Sequence, residues 1–323
     1  MVRLTAAVIS SFALSASALS LGTRAEQPSG EAKKWAGWKN IKKAFILLRL
    51  YPDAAVRRKS IWEPNIPWLD IVKRTKLGQY NASALLTYNL AYGGATVDSA
   101  LVKPYDPSVK SLKDQVESEF IPGYTGNSPK TTWTGDDSVF AIWIGINDIG
   151  NSYWNGANAT DALNTQIFSV ISGLVDKIYT AGGRNYVFIN VPPLDRTPLI
   201  IPQGSSAVSL SKADVAAWNQ KVVDYAKTLK AKANTNVWVY DSNKSFGQVI
   251  DNPASHPETA GLKNTTAYCT AYQNGTPAQD TLDASCGVPV NQYFWLNNLH
   301  PTSAIHEVVA KGVADLLTAG PNI

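Results

Sequence analysis

Three short stretches carry the groups an acyl-transfer site needs. Gly93-Gly94 closes an apolar run, Asn147-Asp148 follows a second, and Asn297-Asn298-Leu299-His300-Pro301 precedes a helical pattern. A glycine turn exposes backbone N–H groups, an asparagine amide donates hydrogen bonds, and a histidine takes a proton near neutral pH. Acyl transfer needs that set, because its tetrahedral intermediate gathers negative charge on one oxygen while a base activates the nucleophile. The bland alternatives stand beside this reading. Gly93-Gly94 could be only a tight turn, and Asn147-Asp148 could cap a helix. Asp148 is expected to be structural.

The elements that must position these residues alternate along the chain. Apolar runs lie at residues 44–48, 85–92, 139–144, 186–191 and 237–240, each followed by polar residues or glycine. Runs of this length suit strands buried on both faces of a parallel sheet. Helical spacing appears at Leu163, Ile167, Val170, Ile171, Leu174, Val175 and Ile178, stopping at Gly182-Gly183. Ser211 with Asp214 reads as the start of a helix carrying Val215, Trp218, Val222 and Leu229. A further helix after Gly94 would hold Asp98-Ser99. The last helix follows Pro301 and ends at Gly320. Residues 242–296 read as a loop-rich insertion. Alternation of this kind implies an open α/β sheet with helices on both sides. Ligands bind such sheets outside the carboxyl ends of the strands, where all three stretches fall.

In this order the blocks resemble the SGNH/GDSL esterases. The carrying segments are NLAYGGAT from Asn89, Gly145-Ile146-Asn147-Asp148, GRNYVFINVPPL from Gly183, and Leu299-His300-Pro301. They are most similar to the secreted fungal group classed as carbohydrate esterase family 16, the acetylesterases. The resemblance covers roughly residues 80–320. It implies a three-layer α/β/α sandwich around a five-stranded parallel sheet, of flavodoxin-like type. It also implies roles: Gly93 as backbone oxyanion donor with Gly94 as the adjacent alternative, Asn147 as side-chain oxyanion donor, and His300 as general base.

Two departures from the family pattern follow. The family's nucleophile sits in a Gly-Asp-Ser block directly after the first strand. Here Lys42-Lys43-Ala44-Phe45-Ile46 resembles that strand, and Leu47-Leu48-Arg49-Leu50-Tyr51-Pro52-Asp53 follows it. No Gly-Asp-Ser occurs in the chain. Gly135-Asp136-Asp137-Ser138 falls before the third strand, where a turn belongs. Ser60 lacks the tight-turn glycine and lies far from the strand end. The second departure is at position 297, where the family usually has an acid. Asn297 can accept the imidazole N–H but supplies no charge to an imidazolium, so a weaker base is expected.

Composition bounds the rest. The 323 residues are 45% hydrophobic and 17% charged, a globular composition long enough for a sizeable core. The net charge of +4 is uneven: residues 24–76 hold 13 Lys/Arg against 5 Asp/Glu, and residues 77–323 hold 15 against 20. A basic front segment on an acidic body is not a polyanion-binding surface, so no nucleic-acid partner is expected. Residues 1–18 read as a secretory signal, with Arg3, an apolar run and Ala16-Ser17-Ala18. Residues 19–79 form an atypical basic segment with a remnant first strand, and 80–323 an esterase-like domain. Cys269 and Cys286 are expected to form one disulfide. Asn-x-Ser/Thr triplets stand at Asn81, Asn158, Asn243, Asn264 and Asn274, which fits an extracellular glycoprotein.

No His/Cys cluster has metal-ligand spacing and no glycine-rich phosphate loop is present, so neither metal nor cofactor is expected. No later run approaches a membrane span. His256 and His306 read as ordinary loop and helix residues, and Asp195 as a loop residue. Trp143, Trp218 and Trp238 read as core. Trp35, Trp38, Trp62, Trp68, Trp133, Trp154 and Trp295 include candidate sugar platforms. The expected function is a secreted, monomeric esterase acting on acyl, foremost acetyl, esters of carbohydrates. The alternative is a pseudo-esterase that retains the fold and binds glycan without turnover.

Overall fold

Five short apolar segments pair into one sheet in the computed structural model, whose described residues are 35, 37–47, 86–127 and 129–323. They are β1 (Lys43–Leu47), β2 (Leu86–Asn89), β3 (Ser138–Ile142), β4 (Asn185–Ile189) and β5 (Asn236–Tyr240). All pairings are parallel, in the order β2-β1-β3-β4-β5. Every residue of β3 and β4 is buried, which requires cover on both faces. The sequence therefore reads as continuous apolar runs rather than an alternation. The order reverses on either side of β1, and the crevice over that reversal is where such sheets bind ligands.

Register decides what each face presents. Phe45 pairs with Tyr88 on one side and Phe140 on the other. Its ring stacks on both, with centroids 5.1 Å and 5.0 Å away. Phe120, Tyr124 and Trp133 close edge-on over it. Phe120 and Tyr124 belong to α1, a helix that starts at Leu112–Asp114, widens into a π turn over Gln115–Phe120 and ends in Ile121–Tyr124. Side chains alternate along a strand, so Tyr186 and Phe188 share this face. It is continued by α3 (Ala157–Thr180) and α4 (Ser205–Lys230), which supply Phe168, Trp218 and Tyr225. The opposite face carries Trp238 against Trp35, centroids 4.6 Å apart, and Tyr240 against α6 (Ser303–Ala319). A Cβ at Gly312 of α6 would come within 2.3 Å of the Tyr240 ring, so glycine lets that helix approach. Helices on both faces make the three layers. Trp143, Trp218 and Trp238 are all buried.

Several local expectations are corrected. The Ser211/Asp214 pair does not open a helix: α4 begins at Ser205, after Gly204. Ser211 Oγ donates to the Val208 carbonyl within the helix, and Asp214 accepts from Asn164 of α3. Ala207, Val208 and Leu210 pack on the core and carry the helix upstream of the polar pair. The same spacing does form a capping box at Ser111 and Asp114, at the start of α1. No helix holds Ser99; residues 98–101 are turns. The run at 85–92 is strand only to Asn89, because the chain turns there toward Gly94. The segment 242–296 opens with a regular helix, α5 (Ser242–Asp251), capped by Asp241. Beyond it come short 3-10 turns and the expected disulfide between Cys269 and Cys286, Cα atoms 5.6 Å apart.

Candidate active site

The turn after β3 is shaped by one glycine. Gly145 has φ +119°, and a Cβ there would lie 2.3 Å from the Trp218 ring. Only glycine fits that backbone under that indole. A short helix, α2 (Ile146–Gly150), starts at once and sends its first side chains toward the loop after β2. Asn147 Nδ2 donates to the Ala95 carbonyl at 2.9 Å. Asp148 Oδ1 accepts the Val97 N–H at 3.0 Å. Two loops roughly fifty residues apart in sequence are thus tied by two bonds of opposite direction. A primary amide has two hydrogens. One is committed to Ala95 and sets the plane of the group, which fixes the direction of the other.

The glycine turn itself is held tightly. Gly94 has φ +80°, and an added Cβ would meet the Tyr105 ring at 2.2 Å. Tyr105 is 67% exposed, so the ring lies over the turn from the solvent side. Asp148 is 1% exposed. Burial lifts its carboxyl to about 7, with nearby Asp98 pushing the same way and the Val97 N–H opposing. The sequence offered no signal for the Val97–Asp148 tie or for Tyr105 over Gly94, because both are contacts between separate loops.

Asn297 and His300 meet in the loop before α6. Asn297 Oδ1 accepts the backbone N–H of Leu299 at 3.0 Å and of His300 at 2.8 Å. Two N–H donors at one atom identify it as the oxygen of the amide. That oxygen stands 3.0 Å from His300 Nδ1. Nδ1 must then carry the proton, which puts the basic lone pair on Nε2. Burial pushes the His300 pKa down to about 4. Asn297 brings no charge to resist that, so the imidazole is neutral across the physiological range.

Other sequence candidates separate cleanly. Trp295 is buried with Nε1 donating to the Thr265 carbonyl, and Trp133 is half-buried with Nε1 donating to the Tyr124 carbonyl. Burial removes Trp295 from the candidate platforms. Trp35 and Trp38 pack on the core. Trp154 is 57% exposed and remains a candidate. Trp62, Trp68 and Ser60 lie outside the described residues, as does the chain directly after β1. Ser138 begins β3 and donates to the Thr134 carbonyl, so Gly135-Asp136-Asp137-Ser138 is turn and strand start. His306 is half-buried in α6, its pKa lowered to about 4 by desolvation and the nearby His300. His256 lies between two short turns, and Asp195 in another, where burial raises its carboxyl. A cavity of about 1050 Å³ opens beside Gly93, lined also by Tyr92, Tyr105, Lys110 and Glu119, but not by Asn147 or His300. Among the described residues no group of three or more His, Cys, Asp or Glu could hold a metal ion. No described helix is long and apolar enough to cross a membrane.

Comparison with known proteins identifies the family. An acetylesterase of Thermothelomyces thermophilus is 32% identical over 243 residues, spanning 74% of this chain and 72% of the relative. An acetylesterase of Hypocrea jecorina is 25% identical over 260 residues, spanning 69% of this chain and 70% of the relative. A GDSL esterase/lipase of Arabidopsis thaliana is 27% identical over 203 residues, spanning 55% of this chain and 53% of the relative. The family model described as GDSL-like Lipase/Acylhydrolase matches residues 50–313. With that match over most of its length, and a parallel sheet ordered β2-β1-β3-β4-β5 beneath it, the chain belongs to the GDSL-like lipase/acylhydrolase family.

Proposed function

We propose that this chain is a secreted esterase scaffold for acyl, foremost acetyl, esters of carbohydrates. We further propose that it binds such esters with no more than trace turnover. The observation that carries the reading is the tie between Asn147 and Ala95, which sets an amide donor against the Gly93-Gly94 turn. In this reading the Gly93 N–H, with Gly94 as the alternative, and the Asn147 amide receive the carbonyl oxygen. Each such donor supplies on the order of 2.7–4 kcal/mol to a tetrahedral intermediate in an active enzyme. His300 Nε2 stands as base and Asn297 fixes its tautomer. Similarity to two fungal acetylesterases supports acetyl as the acyl group. Export is supported by the apolar leader at residues 1–18, the Asn-x-Ser/Thr triplets and the disulfide. The carbohydrate is the leaving group, and the protein acts as a monomer.

The reading of trace turnover has its own observations. The sequence contains no Gly-Asp-Ser, and the group at His300 Nδ1 is the uncharged amide of Asn297. Without a serine the donors can polarise an ester carbonyl, but no acyl-enzyme forms. The test is calorimetric titration of the full chain with an acetylated xylo-oligosaccharide and with its deacetylated form, alongside measured acetate release. Binding that requires the acetyl group, with release near the uncatalysed rate, is the expected result. Equal or absent binding of both forms would overturn the substrate class. Transcript sequence across codons 40–80 separates a real loss of the serine block from a mis-spliced reading: an in-frame Gly-Asp-Ser after Phe45 would restore full catalysis.

A further inference from the structure

Four of the five Asn-x-Ser/Thr triplets lie among the described residues, and the fold treats them differently; Asn81 lies outside. Asn158 is exposed in the first turn of α3, where its Thr160 hydroxyl is turned inward to the Ala157 carbonyl. Asn274 is exposed within the loop closed by Cys269 and Cys286, next to Gly275 with φ +94°. Its Thr276 hydroxyl is likewise turned inward, to the Ala278 carbonyl. At both positions the asparagine points away from the packed chain while its threonine is anchored.

The other two are built into the fold. Asn243 is half-buried in the first turn of α5. Its Nδ2, the atom to which a glycan is joined, donates to the Val191 carbonyl at 3.2 Å. Its backbone N–H is held by Asn190 Oδ1, and Ser245 is buried with its hydroxyl on the Asp241 carbonyl. Asn264 is half-buried beside Tyr293, and its carbonyl accepts the Phe294 N–H at 2.7 Å. Its side-chain oxygen accepts from the N–H groups of both Thr266 and Ala267.

We propose that Asn158 and Asn274 carry N-linked glycans and that Asn243 and Asn264 do not. The proposal rests on the reading of this chain as exported. The donor class is a lipid-linked pyrophosphoryl oligosaccharide. The sugar C1–O bond to phosphate breaks, C1 bonds to Nδ2, Nδ2 loses one proton, and the lipid pyrophosphate leaves. A glycan joined before folding must end outside the folded chain. At Asn158 and Asn274 it does. At Asn243 it would push between Val191 and α5, opening a buried polar network around Asn190 and Ser242. Chains modified there fail to fold and are retained.

The test expresses the full chain in yeast with its own leader, and in parallel with residues 1–18 replaced by a host leader. Medium and membrane extract are both treated with an endoglycosidase that leaves one N-acetylglucosamine per occupied site, and peptides are mapped by mass spectrometry. Of the four described triplets, the exported protein should carry the residual sugar at Asn158 and Asn274 only. Asn158→Gln and Asn274→Gln should each remove one glycan step on a gel. A residual sugar at Asn243 or Asn264 in exported protein, or bare Asn158 or Asn274 in either fraction, would overturn the assignment. Export with the host leader alone would strike the reading of residues 1–18 while the site assignment is read on that material.

Discussion

Asn297 Oδ1 stands 3.0 Å from His300 Nδ1 while also holding the backbone N–H of His300 at 2.8 Å. One side chain therefore sets both the loop and the tautomer of the imidazole. It does so with a dipole where the family pattern has a charge, and burial lowers the pKa of His300 to about 4. Replacing Asn297 with Asp restores an anion beside the imidazolium. A carboxylate at this distance raises a histidine pKa by about 1–3 units. The Cε1–H resonance of His300, identified by its loss in His300→Gln, should titrate at correspondingly higher pH in Asn297→Asp. An unchanged midpoint would mean that the two side chains do not face each other.

Asp148 gives a signed prediction for stability against pH. Its folded pKa is about 7, above the ordinary 3.8. Between those values the folded chain holds a proton that the unfolded chain has lost, so this group's contribution falls as pH rises through that window. At about 1.4 kcal/mol per pKa unit, the swing is on the order of 4 kcal/mol. His300 and His306, lowered from 6.5 to about 4, act the other way: their contribution is complete above 6.5 and is lost as pH falls toward 4. Asp148→Asn keeps an acceptor for the Val97 N–H and removes the opposing slope. Urea unfolding between about pH 4.5 and 7.5 should show stability rising more steeply with pH in the variant than in the parent. Parallel profiles would contradict the placement of Asp148.

Gly94→Ala combines two costs. An alanine at φ +80° costs roughly 1–2 kcal/mol, and its Cβ collides with the Tyr105 ring. Tyr105 is exposed, so Tyr105→Ala alone should change stability little. Added to Gly94→Ala, it should recover the collision and leave the backbone cost. Thermal unfolding of the two single variants and the double variant gives the coupling. Strict additivity would show that the ring does not lie over the turn.

The fold was legible because its strands are buried on both faces. Residues such as Phe45, Val139 and Phe188 appear in sequence as unbroken apolar runs, and α3 announces itself by period. What sequence misreads is polarity inside a helix. Ser211 and Asp214 have the spacing of a cap, yet apolar Ala207, Val208 and Leu210 hold the preceding turn in the helix. Part of the candidate site was legible in the same way. Gly145 and Asn147 lie two residues apart just after a strand, so their place was readable. The partners that hold Asn147 and Asp148 are not: Ala95 and Val97 contribute only backbone atoms, which leave no mark on residue type.

Hydrolysis of p-nitrophenyl acetate by the purified full chain, with and without a serine-directed phosphonate, tests the central claim most directly. On the proposed function, with Gly93 and Asn147 as oxyanion donors and no serine nucleophile, the chain should release no more than trace p-nitrophenol, at a rate the phosphonate does not change. Robust turnover that the phosphonate abolishes would contradict the account, because it would require an activated serine where the family's Gly-Asp-Ser is missing.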